Sequence, residues 1–168
     1  MPRPYYSAES LHAGNSIGYL IKRCGSIMAQ IAEVAFEQEP VGFTQWIVLM
    51  SLDRLGSPVS ATTLSDELGH DMGALTRVVD GLERQGFVRR ERGLQDRRTV
   101  EISLTEAGKR QGERSKHIVV ELLNTLTGPF SHTEIETLIG LLQRLLGQLQ
   151  EHLEVGPETA PAAKAGKL

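Results

Sequence analysis

Residues 71–105 read DMGALTRVVDGLERQGFVRRERGLQDRRTVEISLT, and the hydrophobic period changes partway through. Leu75, Val78, Val79 and Leu82 recur at i, i+3, i+4 and i+7, the spacing of a helix with one apolar face. Asp71 stands where a capping carboxylate belongs, and Gly86 supplies the stop. Beyond it, Val100, Ile102 and Leu104 alternate with Thr99, Glu101 and Ser103, which predicts a strand with one buried face. VRRER at 88–92 is its hairpin partner, with GLQDRR as the tip. Upstream, Ser60 caps a short helix through Leu68 that Gly69 ends. Two short helices joined by a Gly-containing turn and followed by a basic hairpin are the parts of a winged helix-turn-helix.

The chain outside this stretch is helical. A helix is predicted from Thr44, whose hydroxyl would cap it while Phe43 and Val48 form a hydrophobic staple, and it stops near Gly56 and Pro58. Residues 10–37 predict a long helix, with Leu20, Cys24, Ile27, Ile31 and Val34 on one face and Gly14, Gly18, Gly25 and Ala29 allowing a second helix to approach. After Thr105 a helix carries Ile118, Val119, Leu122, Leu123 and Leu126 and breaks at Gly128 and Pro129. Ser131 and Glu134 then form a capping box before Ile135, Leu138, Leu142, Leu145 and Leu149. Both ends thus carry more apolar helix surface than one small domain can bury, and a second copy of the chain is the simplest cover. The expected fold is mainly α with a small β-hairpin wing, a winged helix-turn-helix flanked by N- and C-terminal dimerisation helices. It divides into an N-terminal arm (1–9), a single domain (10–154) and a disordered tail (155–168). Within the domain, 10–43 and 106–154 are the dimerisation helices and 44–105 the lobe.

The formal net charge is −3, so overall positive charge does not draw this chain to nucleic acid. Between residues 84 and 98, however, six arginines face only Glu91 and Asp96. That local asymmetry suits phosphate, although a basic cluster by itself is also an ordinary solvated surface. If Leu75, Val78, Val79 and Leu82 face the core, then Gly73, Ala74, Thr76, Arg77, Asp80 and Arg84 face outward. Gly73 and Ala74 keep the helix N-terminus slim enough for a major groove, Thr76 and Arg77 can reach a base or phosphate, and free amides at that terminus favour an anion. The plainer alternative is an amphipathic helix with a polar outer face. At the hairpin tip Asp96 could orient one of Arg97 and Arg98 while the other reaches a minor groove or phosphate; the alternative is a solvated turn with a local ion pair.

Residues 59–110, VSATTLSDELGHDMGALTRVVDGLERQGFVRRERGLQDRRTVEISLTEAGKR, resemble the DNA-binding lobe of the MarR family of bacterial regulators. The resemblance rests on LTRVVDGLERQGFV, the Asp-x-Arg pair Asp96 and Arg98, and LTEAG. It implies a two-fold homodimer on double-stranded, pseudo-palindromic DNA, with recognition helices in successive major grooves and wings in flanking minor grooves. It also implies a repressor released by a small, often aromatic carboxylate or phenolic, effector. Carried over by position, Thr76 and Arg77 become recognition-helix contacts and Arg98 a wing contact supported by Asp96. Ser60, Thr62 and Thr63 become phosphate neighbours. With Gly73, Ala74, Arg84, Arg90 and Arg97 they complete the expected DNA-binding set.

An effector site is expected where His12, Ser16, Tyr19 and Arg23 follow 4, 3, 4 spacing, with Arg23 receiving a carboxylate and Trp46 or Met50 packing on a ring. The plainer reading of that stripe is a half-exposed flank shared with Gln30 and Glu37. Cys24 sits in the apolar pattern as a small filler, without the tyrosine partners of peroxide-sensing relatives. No cofactor and no metal are expected, since the five histidines show no ligand spacing. Nor does the sequence contain a nucleophile elbow or phosphate-binding glycine loop, so an enzyme is not expected. No apolar run approaches the roughly 20 residues of a membrane span, and the N-terminus lacks the apolar core of a secretory signal. With its single cysteine, the chain reads as cytoplasmic and without membrane association. The alternative function is a winged-helix dimer whose hairpin makes architectural DNA or protein contacts without sequence choice.

Overall fold

The computed structural model describes residues 4–69, 71–93 and 99–155. Asp96, Arg97 and Arg98 at the expected wing tip, and residues 156–168 of the expected tail, lie outside them. The elements are α1 (Ile17–Ala35), α2 (Phe43–Leu55), β1 (Val59–Ser60), α3 (Ala61–Leu68), α4 (Met72–Arg84), β2 (Val88–Arg92), β3 (Val100–Leu104), α5 (Glu106–Thr127) and α6 (His132–Val155). The strands form an antiparallel sheet in the order β1-β3-β2. The chain divides into two compact units, one running to Leu122 and one starting at Leu123.

In the first unit the core is where the apolar periods placed it. Val48, Leu49 and Leu52 of α2, Leu64 of α3, Leu75, Val79 and Leu82 of α4, and Val88 and Ile102 of the hairpin are each at most 2% exposed. Each such side chain stabilises the fold by about 1.5–3 kcal/mol. Ser60 caps α3 and Asp71 caps α4, both as the sequence predicts. Gly69 at φ 59° and Gly86 at φ 75° turn the chain after these helices, in a region that suits glycine.

Three sequence readings are corrected. Helix α1 begins at Ile17 rather than near residue 10. The preceding backbone is satisfied locally instead: His12 N donates to Asn15 Oδ1, Asn15 Nδ2 donates to Ser10 O, and the Tyr6 hydroxyl donates to Asn15 O. Helix α2 is capped at Gly42, whose N–H donates to Gln45 Oε1, and not by Thr44. The Thr44 hydroxyl and the Phe43 and Thr44 amides all donate to the Glu33 carboxylate, so the end of α1 caps the start of α2. On β3, Val100 is 46% exposed while Ser103 is buried. The strand starts out along the hairpin and ends where both of its faces are covered. On α1, Cys24, Ile17, Leu20, Ile21, Ile27, Met28 and Ile31 are exposed, the apolar surface for which the sequence reading expects a second copy as cover.

Helix α5 is fastened at its first turn. Thr105 N donates to Phe87 O, the Thr105 hydroxyl lies 2.8 Å from Gly86 O and 3.0 Å from Phe87 O, and the same hydroxyl oxygen accepts from Gly108 N. A Cβ on Gly108 would overlap the Phe87 carbonyl. One turn on, Glu39 Oε2 accepts from the fully buried Ser115 hydroxyl at 2.8 Å, and Gln111 Nε2 donates to Ser115 Oγ at 2.9 Å.

In the second unit, Ser131 N and Oγ both donate to Glu134 Oε2 while Glu134 N donates back to Ser131 Oγ, the capping box read from the sequence. Leu138, Leu142, Leu146, Leu149 and Leu153 lie exposed along α6.

Gly108→Ala is expected to destabilise the protein by about 1–3 kcal/mol, the range for forced overpacking. The measurement is urea unfolding, with a lower midpoint and an unchanged slope expected. A wild-type midpoint would mean that the α5 juncture yields without cost.

Candidate nucleic-acid interface

The candidate interface consists of the first turn of α3, the outer face of α4 and the β2–β3 hairpin. At α3, Ser60 Oγ accepts from Thr63 N at 3.0 Å and shares a 2.8 Å hydrogen bond with Thr63 Oγ1. Thr62 stands exposed beside them. The three expected phosphate neighbours are therefore together, two of them bonded to each other.

On α4, burial of Leu75, Val79 and Leu82 turns Gly73, Thr76, Arg77, Asp80 and Arg84 to the surface, while Ala74 is half-buried. The Thr76 hydroxyl donates to Met72 O at 2.7 Å, which commits its proton and leaves its lone pairs free. Arg77 has no carboxylate within ion-pair distance among the described residues. Arg84 Nε donates to the Asp80 carbonyl at 3.3 Å, so its terminal nitrogens stay outward. The helix N-terminus is not an open anion site, because Asp71 Oδ1 accepts from Ala74 N at 2.9 Å. The Ala74 hydrogen bond, with help from Gly73 and the Arg77 charge, outweighs lost hydration and holds the Asp71 carboxyl below its ordinary value.

The hairpin divides its arginines by alternation. Val88, Arg90 and Arg92 share one face of β2; Arg89 and Glu91 share the other, where they pair at 3.1 Å. Arg90 faces α4 and pairs with Asp80 and Glu83. Arg92 is exposed without a partner among the described residues, and the sequence reading missed it as a candidate contact. Alternation outward from Val88 was the signal that separates these arginines.

The expected effector residues fall into three groups. His12 lies before α1 and its Nδ1 accepts from Gly14 N, while Ser16 caps α1 by accepting from Tyr19 N. Tyr19 and Arg23 line a shallow hollow of about 250 Å³ with Lys22 and Ser26. Trp46 instead donates from Nε1 to Gly112 O at 2.9 Å and stacks on Phe43, its centroid 6.0 Å away. Met50 also faces α5, near Gly112. Among the described residues no group of three histidine, cysteine or carboxylate side chains could hold a metal, and no helix is long and apolar enough to cross a membrane.

Two helices at a short turn, followed by a hairpin whose strand pairs with the segment before the first, define a winged helix-turn-helix. Residues 43–100 match the model of the MarR family. Wild-type MarR of E. coli in its apo form is similar at 28% identity and a TM-score of 0.69, over 78% of this chain and 97% of that one. Two more distant likenesses carry the fold alone. MepR of S. aureus, solved with DNA, is 24% identical with a TM-score of 0.67, over 79% of this chain and 98% of that one. BpsR of Bordetella bronchiseptica, whose DNA binding is regulated by 6-hydroxynicotinic acid, is 19% identical with a TM-score of 0.70, over 80% and 96%. The winged helix of this chain thus matches the MarR family model, and most of the chain is similar to solved transcriptional regulators, among them a probable one from Pseudomonas aeruginosa at 26% identity and MarR itself.

Because Asp71 is held below its ordinary value of 3.8, its cap contribution is complete above that pH and is lost as pH falls through the lowered folded-state value. Asp71→Asn keeps a capping oxygen that does not titrate. Between pH 6 and pH 3 the urea midpoint of the wild type should therefore fall further than that of the variant. Equal falls would remove Asp71 from the acid response.

Proposed function

We propose that the chain is a homodimeric, sequence-specific transcriptional repressor of the cytoplasm that reads a pseudo-palindromic operator and is released by a small aromatic effector. The observation that carries this reading is the outer face of α4. Arg77 stands there with no carboxylate within ion-pair distance among the described residues, beside slim Gly73 and Thr76, while the opposite face is locked in the core. A guanidinium outside ion-pair contact on such a helix suits a guanine edge or a phosphate in the major groove. Exposed Thr62 and Arg92 flank it as backbone contacts, and the tip residues Asp96, Arg97 and Arg98 belong to the same proposal. The MepR complex with DNA supports the use of this fold on a duplex.

A second copy is the proposed cover for the apolar surfaces of α1 and α6, which exceed what a solvated monomer commonly leaves open. For the effector, the hollow beside Tyr19 joins a ring to two cations, Lys22 and Arg23, a combination suited to an aromatic carboxylate. The response of BpsR to 6-hydroxynicotinic acid is a precedent for that chemistry within the fold.

The reading is tested by selecting duplexes from a random pool and measuring affinity for selected and scrambled sequences by fluorescence anisotropy. The wild type should sediment as a dimer and prefer its selected duplex by about 10³-fold or more. Arg77→Ala should lose about 1–3 kcal/mol on the selected duplex and less on the scrambled one. Equal affinity of the wild type for both duplexes would defeat the reading and favour an architectural or protein-binding role. In the same assay, Arg23→Ala should lose the release caused by an aromatic acid while retaining DNA affinity. Unchanged release would place the effector elsewhere.

A further inference from the structure

The hairpin is joined to the recognition helix through one side chain. Arg90 Nη1 lies 2.6 Å from Asp80 Oδ1 and 2.7 Å from Glu83 Oε2, and Nη2 donates to the Thr76 carbonyl at 3.4 Å. The Arg90 backbone N–H also donates to Glu83 Oε1 at 3.0 Å. Its side chain is 26% exposed, against 50% for Asp80 and 39% for Glu83, so the guanidinium is the inner member of the cluster.

We infer that Arg90 is a positioning residue that clamps the wing to the recognition helix, and that it is not itself a DNA contact. The inference rests on the function proposed above for its consequence, but the clamp itself belongs to the free protein.

Three physical points favour it. Strand β2 is an edge strand, and the outward N–H of Arg90 would otherwise have only solvent; Glu83 closes that edge and fixes how far the hairpin stands from α4. A planar guanidinium can hold two carboxylates and a carbonyl in one plane, which an ammonium on a flexible stem cannot do with the same geometry. Finally, Asp80 and Glu83 are two negative charges beside the outer face of α4, and Arg90 pairs with both and halves the net negative charge that a phosphate would otherwise meet there. A guanidinium committed to three acceptors has little left for DNA. Arg77 and Arg92 do not carry such commitments among the described residues.

The test has an arm without DNA and an arm with it. In the free protein, Arg90→Met should raise amide hydrogen exchange across residues 88–92 by about tenfold or more, because the edge loses its fixed acceptor. Asp80→Asn with Glu83→Gln should do the same, and adding Arg90→Met to that pair should add little, since all three changes remove one cluster. Arg92→Met on the same strand face should leave that exchange at the wild-type level. With the selected duplex, Arg90→Met should weaken binding by about tenfold while the slope of log K against log salt stays at the wild-type value. A direct phosphate contact would reduce the slope by about 0.9 instead. Unchanged exchange in Arg90→Met, or a slope reduced by about 0.9, overturns the clamp. Failure of the wild type to prefer any duplex would defeat the proposed function and leave the exchange arm to decide the clamp alone.

Discussion

Helix α4 can bury Leu75, Val79 and Leu82 in only one rotation about its axis, and what the lobe presents outward depends on that constraint. Each of these residues is at most 2% exposed, so turning the helix by one residue would expose apolar surface worth several kcal/mol. The rotation places Thr76 and Arg77 outside. It also brings Gly81 so close to α2 that a Cβ there would come within 2.8 Å of Gln45 Nε2. Gln45 is itself held by the Gly42 amide, so this approach is set by packing between two helices and not by solvent-facing residues.

The polar residues around α4 refine an arrangement that the core has already chosen. Asp71 starts the helix and takes up an amide at its terminus that would otherwise be open to an anion. Arg90 measures the wing from the helix, and Thr105 with Gly108 seats α5 on the backbone that leaves it. The first unit therefore runs without interruption from a buried apolar face, through a few directed hydrogen bonds, to the exposed outer face of α4. At the other end of this unit Glu33 joins α1 to α2, so a ligand acting on α1 would have a mechanical path into the lobe.

Much of this was legible in the sequence because periodicity and caps are local. Ser60, Asp71 and Ser131 cap the helices they were expected to cap, and the change of period after Gly86 located the hairpin. What escaped was settled by contacts distant along the chain or by competing local bonds. Thr44 looked like a cap because Glu33, eleven residues away, is invisible to a window around Thr44. The start of α1 was placed too early because side-chain bonds of His12 and Asn15 outcompete helix formation before Ser16. That displacement removes His12 from the helical stripe on which it had been grouped with Tyr19 and Arg23. Strand β1 has two residues, too short for any period. The different orientation of Arg90 was present in the alternation with Val88, but a run of arginines read as a charge cluster hides it.

The central claim is that the outer face of α4, fixed by its buried side, meets duplex DNA. Backbone amide resonances followed by NMR during titration with the selected duplex test it residue by residue. The account predicts that the large shifts fall on residues 60–63, 73–77 and the hairpin, while the amides of buried Leu49 and Leu52 on α2 move little. Shifts confined to α1 or α6, with residues 73–77 unmoved at saturation, would contradict it.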